Sequence, residues 1–381
     1  MRLVACLLLG ACAGFPQAQD PQQLFADAVQ AQQRGDDATA ISRYRELLKI
    51  RPDVIEARAN LGAALARLGR IDEALQEYRA VLQRDPNNAA LRLNLALAYY
   101  KKNDFASAAK ELETTRAAGP ANLQAALLLA DCYTRLGRYA DVVRLLGPLE
   151  KTNPDELGIA WLLGSAMIRT GRPQNGLDRV EKAARRGNNA EAYLLAARTA
   201  LGLNEFERAR DDAAAAAQLN PKLPGVFTLL GTAKQYYGDN KGAIADLTKA
   251  IEADPNDFDA HLALGAVLYT ERDMERAAKH LSRALEMNPA SNVARFQMAR
   301  LQRTEGDLEN ARKNLEQVVR ESPDWAQPHM ELSAVYFRLK RREDGERERA
   351  IFDRLNNEQQ AREREAQKRR TANPATVAPS R

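Results

Sequence analysis

The feature that most constrains this chain is a repeat of about 34 residues that runs through most of its 381 residues. Residues 35–52, 69–86 and 103–120 each start with glycine or asparagine, continue with an apolar residue every three or four positions, and end at a proline. A fixed period of this length is the signature of architectures that stack one structural unit many times. The chain is therefore expected to be an array of similar units.

Several positions of the repeat hold the same kind of residue once each closing proline is numbered 32. These prolines are Pro52, Pro86, Pro120, Pro154, Pro221, Pro255, Pro289 and Pro323. They lie 34 residues apart, except that 67 residues separate Pro154 from Pro221 and hold two repeats, one of them a residue short. Positions 8 and 20 are alanine or glycine in nearly every repeat, and position 24 is usually larger.

Each repeat contains two apolar-periodic stretches of about 14 residues, which indicates two helices. Small residues at positions 8 and 20 would let the two backbones approach closely. A glycine near position 15, such as Gly35 or Gly69, is expected to end the first helix in the left-handed conformation. Asp36, Asp239 and Asp307 are expected to cap the second helix. The closing proline lacks the N–H that would continue that helix.

These columns resemble those of the tetratricopeptide repeat family over residues 21–340, in nine complete repeats and a less regular tenth. The resemblance implies an all-α solenoid, a right-handed superhelix of antiparallel helix pairs. It also implies that the first helices line a concave face through positions 2, 5, 9, 12 and 13. Residues 157–189 depart most from the pattern, with Pro173 at position 17 and Gly176 at position 20. A bend or looser stacking is expected there.

Residues 1–20 differ from the repeats. A basic start, an apolar run over residues 3–15 and small residues are typical of a secretory signal of a bacterial exported protein. The run is too short for a bilayer span, which needs about 20 residues. Ala11 and Ala13 suit a cleavage site, whereas the sequence ending at Cys12 also resembles a lipobox, in which the cysteine is lipidated. We expect export to the periplasm or envelope, with secretion as an alternative, or a cytoplasmic location if this segment is not a signal.

The last residues of the chain are charged and then small and polar. Residues 341–370 are expected to form a solvated capping helix that packs Ile351, Phe352 and Leu355 on the last repeat. A tail that binds a partner or a polyanion is the alternative. Residues 371–381 are expected to be disordered. Cys132 lies in an apolar helix stretch, and we expect a buried, unreactive thiol.

The sequence offers no recognisable catalytic or metal-binding motif. It lacks Cys-x-x-Cys, His-Glu-x-x-His, Gly-x-Ser-x-Gly and a phosphate-binding glycine loop. His261, His280 and His329 fall at positions 4, 23 and 4, and we expect packing or surface roles for them. The 56 Lys and Arg are interspersed with 51 Asp and Glu, which does not favour nucleic-acid binding. No catalytic residue, metal site or cofactor is therefore expected.

A binding groove remains, and the resemblance places it on the first helices. Position 13 is basic in four successive repeats and would form a ladder of positive charge suited to an acidic peptide or a C-terminal carboxylate. The ladder consists of Arg67, Lys101, Arg135 and Arg169. These cations would equally complement the dipoles of the helix ends on which they lie. An apolar inner wall beside the ladder would consist of Leu93, Leu97, Tyr100, Leu127 and Trp161. Packing between helices is the alternative for that wall.

The sequence thus predicts a scaffold that is not an enzyme and that binds a peptide or protein segment in its concave groove, for example during assembly in the cell envelope. The alternative is a structural protein whose repeats or tails associate with other copies. Its oligomeric state stays open. Contact with a membrane is expected only through a lipid anchor at Cys12.

Overall fold

The computed structural model describes residues 20–118 and 122–372. These residues form twenty α-helices and no β-strand, which confirms the all-α prediction. The helices are α1 Pro21–Gln33, α2 Asp37–Ile50, α3 Ile55–Arg67, α4 Ile71–Leu82, α5 Ala89–Lys101, α6 Phe105–Ala118, α7 Leu123–Arg135, α8 Tyr139–Thr152, α9 Leu157–Arg169, α10 Pro173–Gly187, α11 Ala190–Gly202, α12 Phe206–Leu219, α13 Val226–Tyr237, α14 Asn240–Ala253, α15 Phe258–Thr270, α16 Met274–Met287, α17 Asn292–Glu305, α18 Leu308–Glu321, α19 Ala326–Arg338 and α20 Arg342–Ala372. The predicted signal with Cys12 lies outside the described residues, as do residues 119–121 and 373–381.

The chain divides into two compact units, Met1–Gly176 and Leu177–Arg381. In the first compact unit, helices α1 to α9 each pack against the next along the chain, and α3 contacts α5 as α7 contacts α9. In the second compact unit, helices α11 to α20 pack in the same sequential way. Contacts between α11, α13, α15, α17 and α19 bring the first helices of successive repeats side by side. Each compact unit is therefore a stack of helix pairs, an α-solenoid.

The turn inside each repeat depends on one residue with left-handed backbone. At position 15, Gly35, Gly69 and four further glycines have positive φ, which confirms the expected helix stop. Asparagine, arginine or lysine takes the same conformation in the other four repeats, at Asn103, Asn204, Arg272 and Lys340. The tertiary position therefore imposes the left-handed turn even where the residue does not favour it.

The second helix of a repeat begins at a side-chain cap where the sequence supplies one. The carboxylates of Asp36, Asp239 and Asp307 accept hydrogen bonds from the backbone N–H groups of Thr39, Gly242 and Asn310. These bonds confirm the predicted caps. Each of them satisfies one backbone donor that the helix itself leaves unpaired.

Positions 8 and 20 are where the two helices of a repeat approach most closely. A Cβ placed on Gly231 would lie 2.6 Å from Leu247 Cγ, and one on Gly176 would lie 2.5 Å from the carbonyl oxygen of Gly164. The two helices of the repeat at residues 157–189 therefore approach as closely as those of the repeat that contains Gly231. Pro173 is the first residue of α10, where a missing N–H costs nothing.

Side chains fasten the start of one repeat to the end of the one before it. At five junctions the position-4 side chain donates a hydrogen bond to the carbonyl oxygen of the proline that closes the preceding repeat. The five pairs are Arg58 with Pro52, Arg92 with Pro86, His261 with Pro255, Arg295 with Pro289, and His329 with Pro323. The same side chain often reaches position 23 of the second helix, as in Arg58–Glu77 at 3.0 Å and His329–Glu348 at 2.6 Å.

The last helix, α20, packs against α19 as the second helix of a tenth pair. The hydroxyl of Ser333 donates to the carbonyl of Gly345 at 2.8 Å, and Ile351, Phe352 and Leu355 are half-buried. Cys132 is buried in the first compact unit as predicted, and burial raises the pKa of its thiol to about 11. Of the helices in residues 20–118 and 122–372, not one has the length and apolar content needed to cross a membrane.

Candidate functional site

The four cations of the predicted ladder lie at the C-terminal ends of α3, α5, α7 and α9, and they differ in their surroundings. Arg67 forms a salt bridge of 2.5 Å with Asp37, a buried carboxylate on α2. The ammonium of Lys101 lies 3.4 Å from the carbonyl oxygen of Ala66, at the end of the preceding first helix. These two cations therefore have structural partners on neighbouring helices.

The other two cations of the ladder are exposed and lie against aromatic rings. The guanidinium of Arg135 is 5.6 Å from the centre of the Phe105 ring and 3.6 Å from the carboxylate of Asp131. The guanidinium of Arg169 lies 6.0 Å from the centre of the Tyr139 ring. Both distances permit a cation–π attraction.

The predicted apolar wall lies at the edge of the core of the first compact unit. Leu93, Tyr100, Leu127 and Trp161 are half-buried and pack against one core cluster, whereas Leu97 is 40% exposed. The hydroxyl of Tyr100 donates to Asp131, and that hydrogen bond, with burial, raises the pKa of the phenol. The structure brings four of the five residues to one cluster, but only Leu97 presents a large exposed surface.

A cleft occurs in the second compact unit and is lined mainly by residues of α11, α13, α15 and α17. Its volume is about 800 Å³. The residues that line it occupy mainly positions 2, 5, 6, 9, 12 and 13 of their repeats, which include those that the resemblance assigns to a concave face. Sequence reasoning did not single out these residues. The sequence feature that could have identified the cleft is the presence of charged and aromatic residues at positions 9 and 13, such as Arg198 and Tyr236.

The cleft includes the start of α13, which begins late. The first helices of the other repeats start at position 1, but α13 starts at Val226, position 3, after a left-handed Gly225. No side chain caps this helix end. Gly225 and Thr228 line the cleft, and the hydroxyl of Thr228 donates to Asp257 at 2.5 Å. α13 therefore begins about half a helical turn later than the other first helices.

Two unpartnered charges of opposite sign line this cleft. Among the described residues, neither Arg198 on α11 nor Asp259 on α15 has an ion pair or a side-chain hydrogen bond, and both are exposed. The other two charged residues of the cleft have partners. Arg300 on α17 contacts Gln297 at 2.9 Å and Glu331 at 3.6 Å, and Asp257 accepts hydrogen bonds from the Thr228 hydroxyl and the Ala260 N–H. A ligand would therefore meet one available cation and one available anion.

Exposed aromatic surface lies beside these charges. Tyr236 is 60% exposed and stacks on Phe206, with ring centres 5.3 Å apart and planes 14° apart. Exposed aromatic rings of this kind are typical anchors of protein interfaces. Val293, which is 48% exposed, lines the same cleft from α17.

A buried acidic pair in the second compact unit also escaped sequence reasoning. Glu181 on α10 and Asp212 on α12 are 4% and 6% exposed. Arg208 binds Glu181 at 2.8 Å, and Arg185 binds it at 2.6 Å. Burial, followed by the charge of Glu181, raises the pKa of Asp212 to about 7. Position 212 is position 23 of its repeat, so periodicity alone could not reveal this partner thirty-one residues away.

In the part of the chain that the structure describes, His, Cys, Asp and Glu side chains form no group of three or more suited to a metal ion.

Comparisons with known proteins agree with this fold. One sequence model of the tetratricopeptide repeat matches residues 25–89, 148–224 and 228–292, and a second matches residues 68–123, 103–166 and 268–329. No curated protein sequence matches the chain.

Among solved structures, the APC/C hetero-tetramer Cut9–Hcn1 has a TM-score of 0.51 and 14% identity, over 88% of this chain and 87% of that chain. Yeast Tom70 has a TM-score of 0.39 and 13% identity, over 93% and 97%. MamA has a TM-score of 0.39 and 22% identity, over 42% and 95%. At these identities the likeness concerns the fold alone.

Proposed function

Because the chain belongs to the tetratricopeptide repeat family, we propose that it is a scaffold without enzymatic activity that binds a peptide or protein segment. The observation that carries the proposal is the preformed cleft on α11, α13, α15 and α17. A cleft built on rigid helices needs little ordering when it binds, so shallow contacts along it can add up to useful affinity. The fold by itself would not justify a function.

The charges and rings of the cleft define what the segment should look like. An acidic group would pair with Arg198 and a basic group with Asp259, since neither has a partner within the described residues. An apolar or aromatic side chain would rest on Tyr236 and its stacked neighbour Phe206. Charged groups of this kind chiefly give specificity and speed of association, while the aromatic contact gives affinity.

The proposal is tested with photo-crosslinking in cells that produce the protein. A photoreactive residue at position 236 should capture a partner, whereas the same residue at the exposed position 347 on α20 should not capture that partner. Adding Arg198→Glu and Asp259→Lys should reduce capture at position 236 at least about tenfold, because each change replaces attraction with repulsion. Undiminished capture in the doubly reversed variant would contradict binding through this cleft.

The predicted ladder offers a second place to test for the same activity. Arg135 and Arg169 lie beside aromatic rings, so an acidic segment could bind there as well. Reversing the charge of Arg135 and Arg169 while leaving the cleft intact separates the two surfaces. Loss of partner capture in that variant, with retention in the cleft variant, would move the binding site to the first compact unit.

We also propose that the protein is exported and acts in the cell envelope, on the basis of its first fifteen residues. The mass of the protein isolated from producing cells tests this. Cleavage next to Ala13 supports a soluble exported form, and a lipid on Cys12 supports anchorage. An intact Met1 would contradict both.

A further inference from the structure

Two imidazoles face each other where other repeats have an Arg–Glu pair. Position 4 and position 23 hold Arg58–Glu77 and Arg92–Glu111 in the second and third repeats, with N–O distances of 3.0 and 2.5 Å. In the eighth repeat the same positions hold His261 on α15 and His280 on α16. Their Nδ1 atoms lie 3.0 Å apart, and their ring centres lie 5.1 Å apart.

The hydrogen bond on the far side of His261 fixes which nitrogen carries its proton. Its Nε2 donates to the carbonyl oxygen of Pro255 at 3.3 Å. The neutral ring therefore presents the lone pair of Nδ1 towards His280, and His280 donates its Nδ1 proton in return. A carbonyl that orients one imidazole nitrogen in this way is a common support for a metal-binding histidine.

Metal binding requires neutral imidazoles, and an N–H···N hydrogen bond between the two Nδ1 atoms forms only when at least one of them carries no proton. The neighbouring cations Lys279 and Arg276 raise the positive potential at His280. His261 is 7% exposed, but His280 is only half-buried, so water can reach the pair. Lys279 and Arg276 will weaken the attraction for a cation.

The separation of the two nitrogens fits a chelated metal ion. With metal–nitrogen bonds of about 2.0–2.1 Å, two cis ligands lie about 2.9 Å apart at a right angle and about 3.3 Å apart in a tetrahedron. The observed 3.0 Å is closer to the right angle. That geometry suits Ni²⁺ or Cu²⁺, which bind imidazole well in tetragonal sites.

We propose that His261 and His280 form a two-imidazole site for a divalent late transition-metal ion, bound through both Nδ1 atoms. The proton on Nδ1 of His280 moves to its Nε2, so no net proton is released. Water supplies the remaining ligands, because the described residues offer no group of three or more protein ligands. The site is therefore exchangeable and distinct from the binding cleft.

The experiment uses the full chain without a histidine tag and with Ni²⁺ as the probe. The chain has only three histidines, so ¹⁵N-labelled imidazoles can be assigned one by one. We expect Ni²⁺ to perturb the signals of His261 and His280 first and to raise Tm in a saturable way. His280→Leu should weaken Ni²⁺ binding at least about tenfold. Leucine is a natural residue at this place in the repeat, since Leu145 occupies position 23 of the fourth repeat.

A matched control is His329→Arg, since His329 occupies the same position 4 but pairs with Glu348. This variant should bind Ni²⁺ like the wild type. Three outcomes would each overturn the proposal. They are a perturbation of His329 as large as that of His261 and His280, unchanged Ni²⁺ binding in His280→Leu, and no perturbation of any imidazole signal up to about 1 mM Ni²⁺. The imidazole signals of the wild type test the proposed Ni²⁺ site even if His280→Leu does not fold.

Discussion

The guanidinium of Arg67 on α3 binds the carboxylate of Asp37 on α2, and its Nε lies 2.9 Å and 3.0 Å from the two carboxylate oxygens. The two residues are thirty positions apart and join successive repeats. Asp37 is almost completely buried, whereas the side chain of Arg67 is 46% exposed. The bond therefore keeps a buried negative charge paired, while the cation still reaches solvent.

The asymmetry of this pair predicts unequal effects of the two alanine substitutions. Arg67→Ala should lower the free energy of unfolding by about 2–4 kcal/mol, because it leaves a buried carboxylate without its partner. Asp37→Ala should cost less, since the guanidinium can turn to water. The double variant should be more stable than Arg67→Ala alone. Urea unfolding of the four proteins measures these differences.

The exposed pair Arg51–Asp53 is a control for the previous comparison, because both of its side chains are more than half exposed. Arg51→Ala should change stability by less than about 1 kcal/mol. An equal loss for Arg51→Ala and Arg67→Ala would show that burial of Asp37 does not control the effect.

Glycine substitutions should have opposite effects at two helix positions. Gly176→Ala places a methyl group 2.5 Å from a backbone oxygen of α9, and backbone cannot move aside cheaply. We expect it to destabilise the protein by about 1–3 kcal/mol. Gly202→Ala meets no atom within 4 Å, so we expect a gain of up to about 1 kcal/mol from reduced freedom of the unfolded chain. Thermal unfolding of both variants tests the contrast, and a neutral Gly176→Ala would contradict it.

Asp212 should make the second compact unit less stable as pH rises. Its folded pKa of about 7 lies above its ordinary value of 3.8, so the folded state binds a proton more tightly than the unfolded state. This contribution is fully present below pH 3.8 and is lost as pH rises through 7. Asp212→Asn mimics the protonated form and should raise Tm more at pH 8 than at pH 5. At pH 8 the gain in the free energy of unfolding should be up to about 4 kcal/mol.

The neighbouring Asp211→Asn serves as the control, because the side chain of Asp211 is 62% exposed. It should shift Tm little at either pH. If Asp211→Asn and Asp212→Asn changed the dependence of Tm on pH equally, the pKa shift of Asp212 could not be the cause of that dependence.

His329 should also stabilise the folded protein more at low pH than at high pH. Burial lowers its pKa, but hydrogen bonds to Glu348 and to the Pro323 carbonyl outweigh burial and leave the pKa above 6.5. The stabilisation is complete below pH 6.5 and disappears as pH rises through the folded pKa. The loss of Tm caused by His329→Gln should therefore be larger at pH 5.5 than at pH 8.5. A loss that grew with pH would contradict this assignment.

The sequence predicted features that each repeat determines within itself. Helix period, the caps at Asp36 and Asp239, and the left-handed turn at Gly35 depend on residues a few positions apart. It did not predict the partners of Arg67 or Asp212, because these are set by how helices of different repeats align. The left-handed turn at Arg272 shows that packing can override a residue's own preference.

The candidate site shows the same division. The family resemblance assigned positions 2, 5, 9, 12 and 13 to a concave face, and the cleft of the second compact unit is lined mainly by those positions. Its place along the array was not predicted, and neither was the late start of α13 after Gly225, which lines the cleft. The ladder at Arg67 and Lys101 was visible in the sequence, but not that a buried carboxylate and a helix end already bind these two cations.

The bond from position 4 to the preceding proline carbonyl also bears on how such a chain can lengthen. A repeat that carries both groups has a donor at its start and an acceptor at its end. At the junction of the second and third repeats, for example, Arg92 of the third donates to the carbonyl of Pro86, which closes the second. A gene duplication that copied one whole period would therefore supply its own connection at both junctions. An insertion that is not a whole number of periods would separate donor from acceptor at one of them.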